Sequence, residues 1–254
     1  MYPRLELGSI VIGTYGLSLF VAFTICWKAL EGNLIRNNFP GYRADWTIIL
    51  LSVGGIMGSK IYHVLETPAE LLAHPSKLFN FTGGFAWFGG FLAGVITLWL
   101  LAWCYKMPAL KLLDLASPVA ALGYAIGRLG CFFAGDGDYG IPTSLPWGMS
   151  FPNGIVPTMY TVHPTPLYEF ITNLAIFYYL WRLAGKPIPT GNILAQYLVL
   201  SGIARFLVEF VRINPRLICG LTNAQVVSLL CILTGLVLLY LPYRVIHKAA
   251  QCKV

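Results

Sequence analysis

The stretch 115–134, LASPVAALGYAIGRLGCFFA, decides how this chain is read. Its 20 residues are enough for an α-helix to cross a hydrocarbon core about 30 Å thick. The one charge in it is Arg128. A guanidinium cannot shed its proton to escape an apolar medium, and placing one at bilayer depth costs about 2.5–3.5 kcal/mol even on lenient insertion scales. Such a charge is tolerated where it meets an anion, a carboxylate or a water-filled cavity. The stretch therefore predicts a membrane helix that carries Arg128 for a purpose.

The rest of the chain agrees. Of its 254 residues 57% are hydrophobic and 11% charged, against roughly 25% charged in soluble domains, and the mean hydropathy is +0.70. These values predict an all-α integral membrane protein, a single polytopic domain over 1–254 with about seven transmembrane helices. The spans fall near 8–30, 45–65, 84–105, 113–134, 166–184, 192–212 and 222–244. A β-barrel is excluded because strands of alternating polarity are absent. The first apolar segment is too long for a signal-peptide core and lacks a small-residue cleavage site, so it reads as a retained span.

The net charge of +7 does not point to nucleic acid, because the basic residues are spread among loops. Nine of them (Arg36, Arg43, Lys106, Lys111, Arg182, Lys186, Arg244, Lys248 and Lys253) fall on one side of the predicted spans, and Arg4, Lys77, Arg212 and Arg216 on the other. The positive-inside rule then places the N-terminus outside and the C-terminus in the cytoplasm. The six cysteines show no CxxC and no metal-ligand spacing. They predict small buried thiols, with no disulfide, no metal and no cofactor.

Two connections are long. The loop 135–165 holds Asp136, Asp138, Trp147 and Tyr160 with no Lys or Arg, a composition that suits a structured cover over a cavity mouth. The loop 66–83 predicts a short helix from Pro68 to His74, with Thr67 and Glu70 as a capping box and Pro75 ending it. The pairs Gly123/Gly127 and Gly90/Gly94, each four apart, predict close helix approaches.

Arg205, Glu209 and Arg212 recur at i, i+4 and i+7, which puts them on one helix face. One reading is an Arg205–Glu209 ion pair that fixes packing. The other is a cationic site for a phosphate, with Glu209 holding an arginine in place. Two arginines and one carboxylate leave one positive charge over, and Arg128 nearby would leave two. A buried excess of that kind is expensive unless an anion arrives, and arginine matches phosphate oxygens with a two-pronged donor geometry. His163 at the start of the fifth span suits a general base, and Glu169 in that span's first turn suits an arginine partner. Lys60 is expected to snorkel or to balance Glu66. Asp136 and Asp138 read first as turn residues; their hard oxygens also suit a divalent cation, although two carboxylates are too few to define a metal site.

Four stretches together resemble the prolipoprotein diacylglyceryl transferase family. They are Tyr15-Gly16, the run from Gly83-Gly84 to Gly89-Gly90, and Gly127-Arg128-Leu129-Gly130-Cys131-Phe132. The fourth pairs His163-Pro164 and Leu167-Tyr168-Glu169 with the run from Arg205 to Arg212. Gln225 and Ser228 add to the likeness, which covers nearly the whole chain. The resemblance implies a seven-helix, multi-pass enzyme of the bacterial inner membrane that moves a diacylglyceryl group from phosphatidylglycerol to the cysteine of a lipoprotein precursor. Its partners are then phosphatidylglycerol, the precursor and membrane lipids. The candidate catalytic residues are His163, Arg128, Arg205 and Glu209. Tyr15, Gly127, Asp136, Glu169 and Arg212 are the candidate substrate-binding residues.

This chain departs from the family pattern at Phe88, where the family has a histidine, and at Cys131, where it has an asparagine. The family's Asn-Gly-Glu becomes Ala134-Gly135-Asp136, followed by an extra residue before Tyr139-Gly140. Phenylalanine cannot exchange a proton, so phosphate binding carries over better than thiol activation. His163 is one replacement base, and Asp136 or Asp138 another. Two other readings stay open: the same fold and lipid donor with a different acceptor, or a non-catalytic lipid-binding or transport protein.

Overall fold

A computed structural model describes residues 3–8, 10–65, 87–216 and 220–251. Two short strands, β1 (Arg4–Leu7) and β2 (Ile10–Gly13), pair antiparallel ahead of the first helix. The helices are α1 (Thr14–Arg36), α2 (Arg43–Leu65), α3 (Trp87–Cys104), α4 (Ala109–Ala134), α5 (Thr165–Leu183), α6 (Asn192–Val208) and α7 (Asn223–Gln251). A second strand pair, β3 (Met149–Phe151) and β4 (Thr158–Val162), lies between α4 and α5. The protein is an all-α integral membrane protein in class. Among the described residues five helices are long and apolar enough to cross a membrane, and the stretch Gly89–Cys104 of α3 is apolar but shorter.

The first span begins at Thr14 rather than near residue 8. Ile10, Val11 and Ile12 are β-branched and favour the pleated conformation that β2 adopts over a helical turn. The sixth helix also ends early: α6 stops at Val208 and tightens into a 3-10 turn over Glu209–Val211. The expected helix over 68–74 and the glycines Gly83 and Gly84 lie outside the described residues.

The described chain forms two compact units. In the unit spanning 31–113, α2 and α3 come into backbone contact. A Cβ on Gly58 would sit 2.6 Å from the Gly89 carbonyl oxygen, and one on Gly90 would strike Ser59. Gly94 has open space beside it, so the close approach uses Gly58, Gly89 and Gly90 rather than the Gly90/Gly94 pair. Lys60 is 4% exposed, buried within the fold instead of snorkelled, and Glu66 lies outside the described residues. At the other end of α2 the Tyr105 hydroxyl donates to the Arg43 carbonyl at 3.0 Å, and Lys111 donates to Asn37 at 3.1 Å.

In the unit spanning 1–30 and 114–254, α1 meets α4 at two glycines. A Cβ on Gly123 would lie 3.1 Å from Cys26 Sγ, and one on Gly130 would lie 2.8 Å from Ser18 Cβ, whereas Gly127 faces open space. The predicted Gly123/Gly127 pair is thus corrected to Gly123 and Gly130, seven apart and two turns along one face. Gly202 and Gly235 bring α6 and α7 together, each against a backbone carbonyl of the other helix. Thr222 and Gln225 start α7 with a reciprocal capping box.

Asp114, buried on α4, accepts backbone N–H bonds from Gly191 and Leu194 and so caps the start of α6. Those are donors a helix start leaves without an intrahelical partner. Asp114→Ala is expected to cost about 0.5–2 kcal/mol, read as a lower melting temperature in detergent. An unchanged melt would show that water replaces the carboxylate.

The loop 135–164 is structured, as its composition suggests. Phe151, Tyr139 and Val162 bury together, with Phe132 of α4 against them. The Ile141 N–H donates to the Val211 carbonyl at 2.8 Å, and Gly140 bridges Arg212, so the loop is tied to the end of α6.

Candidate functional site

Six charged side chains converge where α4, α5, the end of α6 and the loop after α4 meet. Glu169, one turn into α5, is the hub, with its side chain 3% exposed. Its Oε1 accepts from Arg205 Nη1 at 2.7 Å and from the Tyr124 hydroxyl at 2.6 Å. Its Oε2 lies 3.2 Å from Arg128 Nε and 3.3 Å from Arg212 Nη1. A carboxylate offers about four lone-pair sites, and here each meets a donor.

Glu209 pairs with Arg205 Nη2 at 2.8 Å and lies 3.7 Å from Arg212 Nε. Its second oxygen accepts from Asn214. The helix-face reading of Arg205, Glu209 and Arg212 survives the tightening into a 3-10 turn, because i,i+3 and i,i+4 partners stay adjacent. Asp138 supplies the third carboxylate and bridges Arg128 and Arg212. Burial alone would push its carboxyl up; the guanidiniums of Arg128 and Arg212 outweigh that and hold it below the usual carboxylate range. A depressed carboxyl contributes stability above its unfolded value and loses it as pH falls through the folded one. Asp138 is therefore ionised at neutral pH and its bridges are intact there.

The charge count corrects the sequence reading. Arg128, Arg205 and Arg212 face Asp138, Glu169 and Glu209, so the cluster is balanced rather than two charges in excess. The excess arose because Glu169 stands 36 residues from Arg205 and Asp138 stands 74 from Arg212, while Asp138, only 10 from Arg128, reads as a turn residue. Tyr124, one turn before Arg128, escaped notice: besides its bond to Glu169, its ring lies 4.9 Å under the Arg128 guanidinium. The i,i+4 spacing from Tyr124 to Arg128 was the available signal, and an aromatic residue in an apolar helix does not single itself out.

Tyr15 stands on the first turn of α1, close to Gly130. Gly127 leaves open space beside Arg128. Asp136 accepts the Asp138 N–H at 3.2 Å, shaping the turn as expected. Among the described residues Cys131, Asp136 and Asp138 bring three metal-capable atoms within 4.8 Å of one another. Both Asp138 oxygens are held by arginines, so Asp138 belongs to the ion-pair cluster as well as to this group.

His163 lines a cavity of about 530 Å³ with Leu145, Trp147, Tyr168, Leu207 and Val211, the last of which adjoins Arg212 of the cluster. Its Nδ1 lies 3.2 Å from the Tyr168 hydroxyl, which accepts from Trp147 Nε1 at 2.8 Å. If that hydroxyl donates to Nδ1, the neutral ring carries its proton on Nε2. If the hydroxyl accepts from Nδ1 as well, Nε2 is left as a base. Phe88 falls in the first turn of α3, and its side chain lies outside the described residues.

Comparison with known proteins decides the family. A model described as prolipoprotein diacylglyceryl transferase matches residues 4–241. The chain belongs to this family. A phosphatidylglycerol–prolipoprotein diacylglyceryl transferase of Pseudomonas fluorescens (strain Pf-5) is 31% identical over 264 residues, covering 98% of this chain and 96% of its own. The like-named protein of Cupriavidus pinatubonensis is 32% identical, with 94% and 90% covered, and that of Clostridium tetani 32%, with 79% and 82% covered.

Proposed function

We propose that this chain transfers a diacylglyceryl group from phosphatidylglycerol to the cysteine thiol of a lipoprotein precursor. The observation that carries the reading is the convergence of Arg128, Arg205 and Arg212 on the buried Glu169 in a membrane protein. Arginine forks organised by one carboxylate suit a lipid phosphodiester. In the reaction the thiolate attacks the diacylglyceryl carbon, a C–S bond forms, the C–O bond to phosphate breaks, and glycerol phosphate leaves with the bond's electron pair. Arg128 and Arg205 meet the charge that develops on the departing phosphate. Glu209 holds Arg205, and Arg212 with Glu169 fixes the array.

The thiol must lose its proton to become the nucleophile. His163 takes it, with Nδ1–H donated to Tyr168 so that Nε2 is the base. Tyr15, Gly127 and Asp136 border the phosphate. The chain works as a single membrane domain of seven spans in a bacterial inner membrane, with its N-terminus outside and C-terminus in the cytoplasm. That orientation is supported by the distribution of Lys and Arg.

Mass spectrometry of a synthetic lipobox peptide incubated with the purified protein and phosphatidylglycerol tests the reading. The expected result is a diacylglyceryl mass gain that Arg128→Ala abolishes and His163→Gln lowers about 100-fold, within the usual range for general-base loss. Full turnover by His163→Gln would remove His163 as the base. No gain from protein that still binds phosphatidylglycerol would favour a second reading, transfer to another acceptor, which Phe88 and Cys131 support.

A further inference from the structure

Asp138 differs from the other members of the arginine cluster in two respects. The carboxylates of Glu169 and Glu209 are carried by α5 and the 3-10 turn and are 3% and 0% exposed. Asp138 comes from a loop and its side chain is 32% exposed. Its two oxygens each engage a different arginine, Oδ2 on Arg128 and Oδ1 on Arg212. The two non-bridging oxygens of a phosphodiester present the same pair of acceptors.

We infer that Asp138 is a resident anion that sets the affinity and charge selectivity of the lipid-phosphate site: its carboxylate occupies the place between Arg128 and Arg212 that a phosphodiester takes, and it swings out when the donor binds. This inference rests on the phosphate reading of the cluster.

Charge decides which ligand the exchange suits. With Asp138 in place the cluster is neutral. With its carboxylate turned to water, the carboxylates left in contact with the three guanidiniums among the described residues are Glu169 and Glu209, one negative charge short of balance. One phosphodiester monoanion restores neutrality, whereas a phosphomonoester dianion overshoots it. The backbone allows the exchange without opening the loop. The Asp138 N–H is held by Asp136, and its carbonyl accepts from Thr165 at 2.5 Å. Only side-chain rotation is needed, and the partly exposed carboxylate has water to turn into. The exchange swaps one set of charge-assisted hydrogen bonds for another, so the resident carboxylate lowers affinity while keeping the empty arginines apart.

The test is equilibrium binding by the full chain in detergent micelles. Probes are dioleoyl phosphatidylglycerol, dimethyl phosphate as a free diester, and dioleoylglycerol, which lacks phosphate. Asp138→Asn and Asp138→Ser, the second a check against an effect peculiar to the amide, are expected to bind phosphatidylglycerol about tenfold more tightly than the natural chain, the scale of one charge-assisted hydrogen bond. Dioleoylglycerol binding is expected to stay unchanged. Matching tightening for dimethyl phosphate locates the gain in the phosphate; tightening for phosphatidylglycerol alone supports the inference with a site reached only from the lipid.

Equal or weaker phosphatidylglycerol binding by both variants overturns the inference, since a carboxylate with a purely structural role can only weaken the site when removed. Equal tightening for dioleoylglycerol also overturns it. Arg128→Gln separates the two levels. Its loss of phosphatidylglycerol binding leaves the phosphate reading standing even where the Asp138 inference fails. Unchanged binding by Arg128→Gln removes both.

Discussion

Glu169→Gln is expected to lower diacylglyceryl transfer at least about 100-fold and to destabilise the fold by about 3–5 kcal/mol. Glutamine keeps the shape but replaces one oxygen by an NH2 group. That group points donors at guanidiniums, which have only donors of their own. The four contacts on the Glu169 carboxylate, from Tyr124, Arg128, Arg205 and Arg212, cannot all be kept. The variant also leaves a buried cluster with one uncompensated positive charge, the situation in which removing one partner costs most.

The loss of rate has a geometric origin as well. Arg128 and Arg205 come from different helices, and Glu169 is the group that both touch. Releasing either by about 1 Å is enough to cost on the order of 100-fold in a reaction that depends on positioning. Glu169→Asp keeps the charge but withdraws it by one methylene, and is expected to recover stability more than rate. The measurements are the melting temperature in detergent and the mass-spectrometric transfer assay. Natural turnover and an unchanged melt for Glu169→Gln would mean that the arginines are organised by Glu209 and Asp138 instead.

The sequence made the arginines legible because a permanent charge in an apolar helix has few structural excuses. Arg128, Arg205 and Arg212 stood out for that reason, and Glu209 for its spacing. Glu169 was readable only as a carboxylate in search of a partner. That one group serves three arginines depends on how α4, α5 and α6 pack, which local pattern does not encode. Asp138 was hidden by its context: between Gly137 and Tyr139, and two residues after Asp136, an aspartate reads as turn chemistry. Its role appears only when the loop returns to the end of α6 through Ile141 and Val211.

Span positions were legible to within a few residues, because apolar length is a strong signal. The first span's start was not, since β-branched Ile10, Val11 and Ile12 raise hydropathy whether they form strand or helix. Glycine spacing located small helix faces but not which faces meet. Gly94 and Gly127 share a spacing with Gly90 and Gly123, yet open space lies beside both.

Gly89→Leu is expected to be the most damaging single change in the unit spanning 31–113. A Cβ on Gly89 would overlap the Gly58 carbonyl oxygen and lie 2.9 Å from its carbonyl carbon. The converse holds too, with a Gly58 Cβ 2.6 Å from the Gly89 oxygen. Overpacking a core usually costs about 1–3 kcal/mol, because side chains rotate away. Here the obstacle on each side is backbone, which can move only if α2 and α3 separate. Close approach through glycine is also the principal attraction available to helices in lipid, where apolar side chains gain nothing by leaving the bilayer. The expected result is a loss of about 4 kcal/mol or more, seen as low yield and a broadened, lowered melt in detergent. Gly55→Ala and Gly94→Ala serve as controls, because a Cβ at either meets nothing within 4 Å. Both are expected to melt at or slightly above the natural temperature, since alanine is favoured over glycine in a helix by about 1 kcal/mol. A Gly89→Leu protein that melts with the controls would show that α2 and α3 do not meet through their backbones.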